Sequence, residues 1–353
     1  MTDEAAAAGW EAVADLCHAY LTGFILTTVT RRGEAAAADL VFGTFRRQHL
    51  EKFLPGLEKL GLTHLPHAVA CAQYHYLSNQ LGGVKVEYVY ESDDKAWVRY
   101  VPPRWIFEGT AICAAPSAVS RAMLRGWHAH NGVTLGNPRL GFVCTKQTTD
   151  VQPALEGYYR EYDRDLAPDE RLRFAPGEDG PDFDPAAAPA VDQAAWPADR
   201  LKKAYRNYAM EYVRTILPEA MARFGPADGG HLGRVTGRLI GMQYHDRVAA
   251  RLGVTTRSAE AFGGMLARLA RAQGDDAEVE RDGDAVIVTQ RTWRLMRGAG
   301  PQPPEVFDAW NGVWEGALAV HDRRLRLEVI ARLDLGDPGW RWRIRRTGRA
   351  TAF

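Results

Sequence analysis

The spacing of apolar and polar residues predicts helices first and strands second. Between Trp10 and Val29, the residues Trp10, Val13, Leu16, Cys17, Tyr20 and Phe24 recur at helical spacing. Gly33 closes this unit, Asp39 is placed to cap a second helix over 40–60, and Gly61 stops it. A third helix runs from Ala68 to Leu81 and ends at Gly82-Gly83. The period then falls to two. Val84, Val86, Tyr88 and Tyr90 alternate with Lys85, Glu87 and Val89, Ser92-Asp93-Asp94 turns, and Ala96 to Val101 returns, which is a β-hairpin signal. Pro102-Pro103 ends the strand, because proline cannot donate to a ladder. Pro116-Ser117 opens a helix expected to reach His130, and Arg139 to Thr145 reads as a strand. In ALEGYYREYDRD, Tyr158 and Tyr162 fall on one face if the stretch is helical. Near the end, WRWRIRR reads as an edge strand with its arginines in water, and second as a phosphate-binding strip.

The same landmarks recur further along. Arg32-Gly33 matches Phe224-Gly225 and Leu60-Gly61 matches Leu252-Gly253, both 192 residues apart; Gly82 and Gly274 keep that offset. The hairpin from Glu91 matches that from Glu280 at 189, and Pro116 matches Pro304 at 188. A near-constant offset implies an internal duplication. Helices followed by hairpins give an α+β class, each copy being helices packed on a small antiparallel sheet. The expected division is an N-terminal copy over 1–166, a linker over 167–198 and a degenerate copy over 199–353. The linker reading rests on APDERLRFAPGEDGPDFDPAAAPAVDQAAWP, which is rich in Pro, Gly, Asp and Ala and has no period.

Composition narrows the classes. With 353 residues, 46% hydrophobic and 25% charged, each copy can bury an ordinary core. A formal net charge of zero argues against a general binder of nucleic acid or anionic membrane. No apolar run reads as the roughly 18 residues needed to span a bilayer, and the N-terminus lacks a secretory pattern. Four scattered cysteines suggest free or metal-bound thiols in a reducing cytoplasm.

The candidate chemistry gathers in the first copy. His67, Cys71 and His75 follow one another at i, i+4, so thiol and imidazoles share a helical face that suits zinc or another transition metal. The plain alternative is a core cysteine beside interfacial histidines. Their counterparts fall near Ala259, Gly263 and Ala267, so the fold does not demand them. Cys113 lies just before Pro116, near a helix start that would favour its thiolate, or simply fills a tight packing site. His128 and His130, two apart, diverge on a helix, so one can act while the other meets solvent. Asn131-Gly132 reads as a helix stop, with Asn131 also a substrate-binding candidate. Cys144 and Lys146, two apart on a strand, are expected to share a face as thiol and anion anchor, with Arg139 as a second anchor. No GxGxxG, Walker, GxSxG or HExxH pattern is present.

The run NGVTLGNPRLGFVCTKQTTD, Asn131 to Asp150, resembles the L-2-amino-thiazoline-4-carboxylic acid hydrolase family, with the likeness covering roughly Leu40 to Asp150. That resemblance implies hydrolytic opening of a small cyclic C–N/C–S substrate bearing a carboxylate. The expectation is a small-molecule enzyme. Cys113 or Cys144 would be its thiol, His75, His128 or His130 its base, and Lys146 or Arg139, with Asn131, would hold the substrate. The alternative is a non-catalytic metal- or ligand-binding sensor or scaffold. The partner expected is a small molecule, not nucleic acid or membrane, with a homo-oligomer compatible.

Overall fold

The computed structural model describes residues 3–102, 105–107, 113–191 and 194–346, with backbone alone at 3, 106, 107, 113 and 114. In chain order the first elements are helices α1 (Asp3–Arg32), α2 (Glu34–Lys59) and α3 (His67–Leu81). Strands β1 (Val86–Ser92), β2 (Lys95–Tyr100), β3 (Ile106–Phe107) and β4 (Cys113–Ala114) follow. Helix α4 (Ser117–Gly126), a 3-10 turn at His128–His130 and helix α5 (Asn131–Thr134) come next. Strands β5 (Leu140–Lys146), β6 (Leu155–Glu161) and β7 (Leu172–Phe174) complete this part. The remainder is α6 (Ala198–Phe224), α7 (Pro226–Arg251), α8 (Ala259–Gln273), β8 (Ala277–Asp282), β9 (Ala285–Gln290), α9 (Glu305–His321), β10 (Leu325–Ala331) and β11 (Trp340–Arg346). The class is α+β.

Two compact units result: a central unit, Thr28–Pro197, and a terminal unit, Met1–Thr27 with Ala198–Phe353. This differs from the division expected from sequence. Most of α1 belongs with the second half, and the segment expected to be a linker belongs to the central unit. There β7 pairs in parallel with β5, and the Gly180 N–H donates to Glu156 at 3.2 Å.

In the central unit the sheet order is β1-β2-β6-β5-β7, and in the terminal unit β8-β9-β11-β10. Each sheet places a hairpin first and the last long strand beside the hairpin's second strand. The lengths match as well. α2 and α7 have 26 residues each and α3 and α8 have 15 each, with starts at 34 and 226 and at 67 and 259. β5 and β10, and β6 and β11, all have seven residues, starting at 140 and 325 and at 155 and 340. Gly33 and Gly225 start their helices at φ 86° and 80°, and Gly61 and Gly253 end them at 70° and 66°. Only glycine holds these conformations without strain. The helix cap of α2 is therefore Gly33, and Asp39 lies inside the helix.

Other sequence readings shift. ALEGYY is strand β6, so Tyr158 and Tyr162 are not on a helical face. WRWRIRR is not an edge: β11 lies between β10 and β9, its Trp340, Trp342 and Ile344 buried. By length and composition alone α1 could cross a membrane, where the sequence reading found no such run, but most of that stretch is buried inside the protein.

Candidate functional site

The central unit's interior holds a polar network at the junction of α3, β2, β6 and the turn after α4. His75 and Asn79 come from α3, Tyr100 from β2, Tyr159 from β6, and His128 and Asn131 from the 3-10 turn and α5. All six side chains are buried. Helical spacing brings His75 and Asn79 to one flank, where Asn79 donates to the His75 carbonyl at 2.7 Å. Tyr100 and Tyr159 point inward because alternate residues of each strand face α3. The His75 and His128 rings stack, with centroids 4.2 Å apart, and the Tyr159 ring lies nearly parallel to both. Phe142 of β5 closes against His128 at 4.6 Å.

The hydrogen bonds fix a direction. The Asn131 amide nitrogen, a donor only, reaches His75 Nε2 at 3.3 Å and the Tyr159 hydroxyl at 3.0 Å. With the amide so oriented, His75 Nε2 accepts and a neutral His75 carries its proton on Nδ1. Nδ1 then donates to the Tyr100 hydroxyl at 3.0 Å, and Tyr100 donates to His128 Nε2 at 3.0 Å. A phenol thus joins two imidazoles, an arrangement that can pass a proton from one to the other.

Behind Asn131 lies His49 of α2. Arg46 donates to His49 Nδ1 at 2.7 Å, which leaves the His49 proton on Nε2. His49 Nε2 and Asn131 Oδ1 are both buried, and neither makes a hydrogen bond. They are close enough for Asn131 to favour the His49 cation slightly but do not meet in good geometry. Burial, with Arg46 and His130 beside it, pushes His49 down to about 3, so it is neutral near pH 7. Tyr159 is held well above the ordinary phenol range by burial.

The other sequence candidates are placed differently. His67 starts α3 and its Nδ1 is taken by Asn137 at 3.0 Å. Cys71 is fully buried, and burial raises its thiol pKa although Asn131 opposes this slightly. Among the described residues no group of three His, Cys, Asp or Glu side chains is placed to hold a metal ion, so His67, Cys71 and His75 do not form such a group. His130 diverges from His128 as its spacing requires, and its Nδ1 donates to the Arg125 carbonyl, 2.8 Å away. Asn131 begins α5 instead of stopping a helix. Arg139 is ion-paired with Glu161 at the surface. The Cys113 side chain lies outside the described residues; its backbone pairs with Phe107.

Cys144 and Lys146 do not share a face. A register shift between them pairs Cys144 with Gly157 but Lys146 with Glu156, so a β-bulge turns the lysine to the other side of the sheet. There Lys146 meets Glu156 at 2.6 Å and Asp179 at 2.7 Å, and Arg99 joins Glu156 to Glu87. Burial alone would raise the Glu156 carboxyl, but Lys146 and Arg99 outweigh it and hold it low. Lys146 is thus no vacant anion anchor. The Cys144 thiol donates to the Lys146 carbonyl at 3.4 Å and is pushed up to about 12 by burial. An activated nucleophile shows the opposite shift.

Tyr100, Tyr159 and His49 were missed from sequence. His49 did leave a signal: it sits midway between Phe45 and Phe53, at helical spacing on the buried side of α2. A further histidine pair was missed in the terminal unit, where His245 Nε2 meets His321 Nδ1 at 3.0 Å and His321 Nε2 reaches the Ser258 carbonyl at 3.1 Å. The second half is therefore not empty of imidazoles, but it places them elsewhere.

The fold and site together define an α+β protein of two like-ordered units with a buried His–Tyr–His network in one. In comparison with known proteins, no family model, no curated protein and no solved structure matches the chain.

Proposed function

We propose that the protein is a small-molecule enzyme whose central unit performs acid–base chemistry, with His75, Tyr100 and His128 moving the proton and Asn131 orienting His75. One observation carries the reading. In the matched elements of the terminal unit the positions of His49, Cys71, His75, Tyr100 and Tyr159 are taken by Gly241, Gly263, Ala267, Gln290 and Ile344. The same frame therefore stands without the network. Buried polar groups cost stability unless fully paired, so a set that the architecture does not require points to a task.

The substrate class follows from the resemblance stated above: a small cyclic C–N or C–S carboxylate, opened by water. The thiol route is dropped for Cys144, and Lys146 and Arg139 are dropped as anchors, because their partners are already fixed. The buried free thiols of Cys17, Cys71 and Cys144 fit a reducing cytoplasm. Turnover of 2-amino-thiazoline-4-carboxylate and related cyclic carboxylates by the purified chain tests the reading. His75→Ala and Tyr100→Phe are expected to slow turnover roughly a hundredfold, the usual worth of a positioned acid or base, whereas Cys144→Ala leaves it unchanged. Absence of turnover across the panel, or full rates in both variants, would end it.

A non-catalytic binding module is the second reading, favoured by the burial of every network side chain. It predicts that these variants lose ligand binding in a protein that never turns a ligand over.

A further inference from the structure

At the end of α4 remote from His128 lies a second polar cluster. Helix α4 begins at Ser117 without a side-chain cap of its own. Asp150 serves from across: it accepts from the Ser117 hydroxyl, takes the Gln147 amide nitrogen at 2.7 Å, and has Arg121 at 3.6 Å. On the residues that follow Ser117 and precede Asp150, buried polar atoms are left over. Gln147 Oε1, Thr148 Oγ1 and Ser120 Oγ make no hydrogen bond, and their residues are 3%, 7% and 0% exposed. Since the Gln147 nitrogen already touches Asp150, its amide is aimed at the first turn of α4.

The terminal unit shows what closure of this place looks like. Arg332, which holds the position of Gln147 after the matched strand, donates to Asp308 at 2.8 Å and to the Pro304 carbonyl at 2.8 Å. Asp308 is four residues past Pro304, as Ser120 is four past Pro116. The ion pair there is replaced here by neutral groups, of which Ser120 Oγ and Gln147 Oε1 lack a partner.

We infer that the first turn of α4, with Ser117, Ser120, Arg121, Gln147 and Thr148, is a binding site for a small oxyanion, a carboxylate or phosphate group, and that Asp150 is its resident stand-in. The helix start presents backbone N–H groups and a positive dipole end, Arg121 adds a cation, and the hydroxyls add donors. Asp150 competes for the same donors, so an anion enters as that carboxylate swings out into the water that already reaches it. Gln147 then turns its amide to the newcomer, and Ser120 and Thr148 gain the acceptors they lack. The Cys144 thiol responds to the charges of Arg121 and Asp150, which places it beside the same cluster. The site does not depend on the histidine relay, which lies past the other end of the helix.

The test is titration of the full-length protein with sodium acetate and with inorganic phosphate at constant ionic strength, followed at the backbone amides of Ser117, Ala118 and Val119 by NMR. Asp150→Ala is expected to bind one of the two anions at least about tenfold more tightly than wild type, by removing the internal competitor. Adding Arg121→Gln should weaken that binding by a similar factor, about tenfold. The tighter anion names the group. Should Asp150→Ala fail to fold, Asp150→Asn keeps the hydrogen-bonding shape without the charge and must show the same gain. No anion-dependent shift at these amides in the folded variant, or a shift indifferent to Arg121→Gln, overturns the site. Intact anion binding with no turnover would count only against the enzymatic reading.

Discussion

At the scale of single residues, protonation is the sharpest handle. His49 titrates near 3 in the folded chain against about 6.5 when unfolded, because burial and the Arg46 guanidinium disfavour its cation. Between these values the unfolded chain binds the extra proton and the folded chain does not, so stability rises with pH across that window and is lost as pH falls from about 6.5 toward 3. His130, His245 and His321 are shifted down too, burial being the main cause in each, and add to the same slope. Urea unfolding at a series of pH values should show the midpoint falling below pH 6.5, and His49→Gln should flatten part of the fall. A slope unchanged by that substitution would mean that His49 is not the neutral buried group described. Tyr100→Phe probes the relay without changing shape. It leaves His75 Nδ1 and His128 Nε2 without their shared hydroxyl, and a loss of about 1–3 kcal/mol is expected in the same unfolding measurement.

At the scale of elements, the α7–α9 pair is the tightest contact in the terminal unit and can be tested by adding one carbon. A Cβ at Gly241 would stand 2.0 Å from the Val313 carbonyl oxygen, and one at Gly316 would stand 2.0 Å from the Arg238 carbonyl oxygen. Both obstacles are backbone, so the helices must separate; Gly241→Ala or Gly316→Ala should cost about 3 kcal/mol or more, read as a drop in Tm. Gly264, on α8, has open space at its Cβ, and Gly264→Ala should instead gain roughly 0.5–1 kcal/mol from helix propensity. The contrast would fail if the two classes of glycine behaved alike. Much of this layer was legible from periodicity: the first three helices, the β1–β2 hairpin and β5 are all present where the spacing put them, although α1 and α2 begin earlier, at Asp3 and Glu34. What was not legible depends on neighbouring strands. In ALEGYYREYDRD the Tyr158/Tyr162 and Glu161/Asp165 spacings imitate a helix, and only pairing of β6 with both β2 and β5 makes it a strand. The bulge that separates Cys144 from Lys146 is likewise a property of two strands, invisible in either one. His75, His128 and Asn131 were found because their chemistry stood out in the sequence. Tyr100 and Tyr159 were not, because an inward tyrosine on a strand reads as ordinary core.

At the scale of the whole molecule, order along the chain and membership in space part company. The two stretches of matching elements suggest that the chain should divide near its middle, yet α1 up to Thr27 lies with the second stretch. The reason is chemical as well as geometric. Leu16, Cys17, Tyr20, Phe24 and Ile25 are buried, and the Tyr20 hydroxyl reaches the Gly233 carbonyl at 2.9 Å and the Ala309 carbonyl at 3.2 Å, one on each of α7 and α9. Removing α1 would expose the apolar faces it covers and leave those groups without the tyrosine that joins them. A polypeptide of residues 198–353 alone should therefore lack a cooperative melt, and adding residues 1–27 as a separate peptide should restore one. Residues 28–197, which keep the five-stranded sheet and the whole His–Tyr–His network, should melt cooperatively alone. Near-UV circular dichroism, sensitive to the packed rings of Tyr159 and Phe142, reports whether that interior has formed. If 198–353 folds without α1, or 28–197 does not fold at all, then sequence order governs the units and the spatial division is the wrong frame for placing a site.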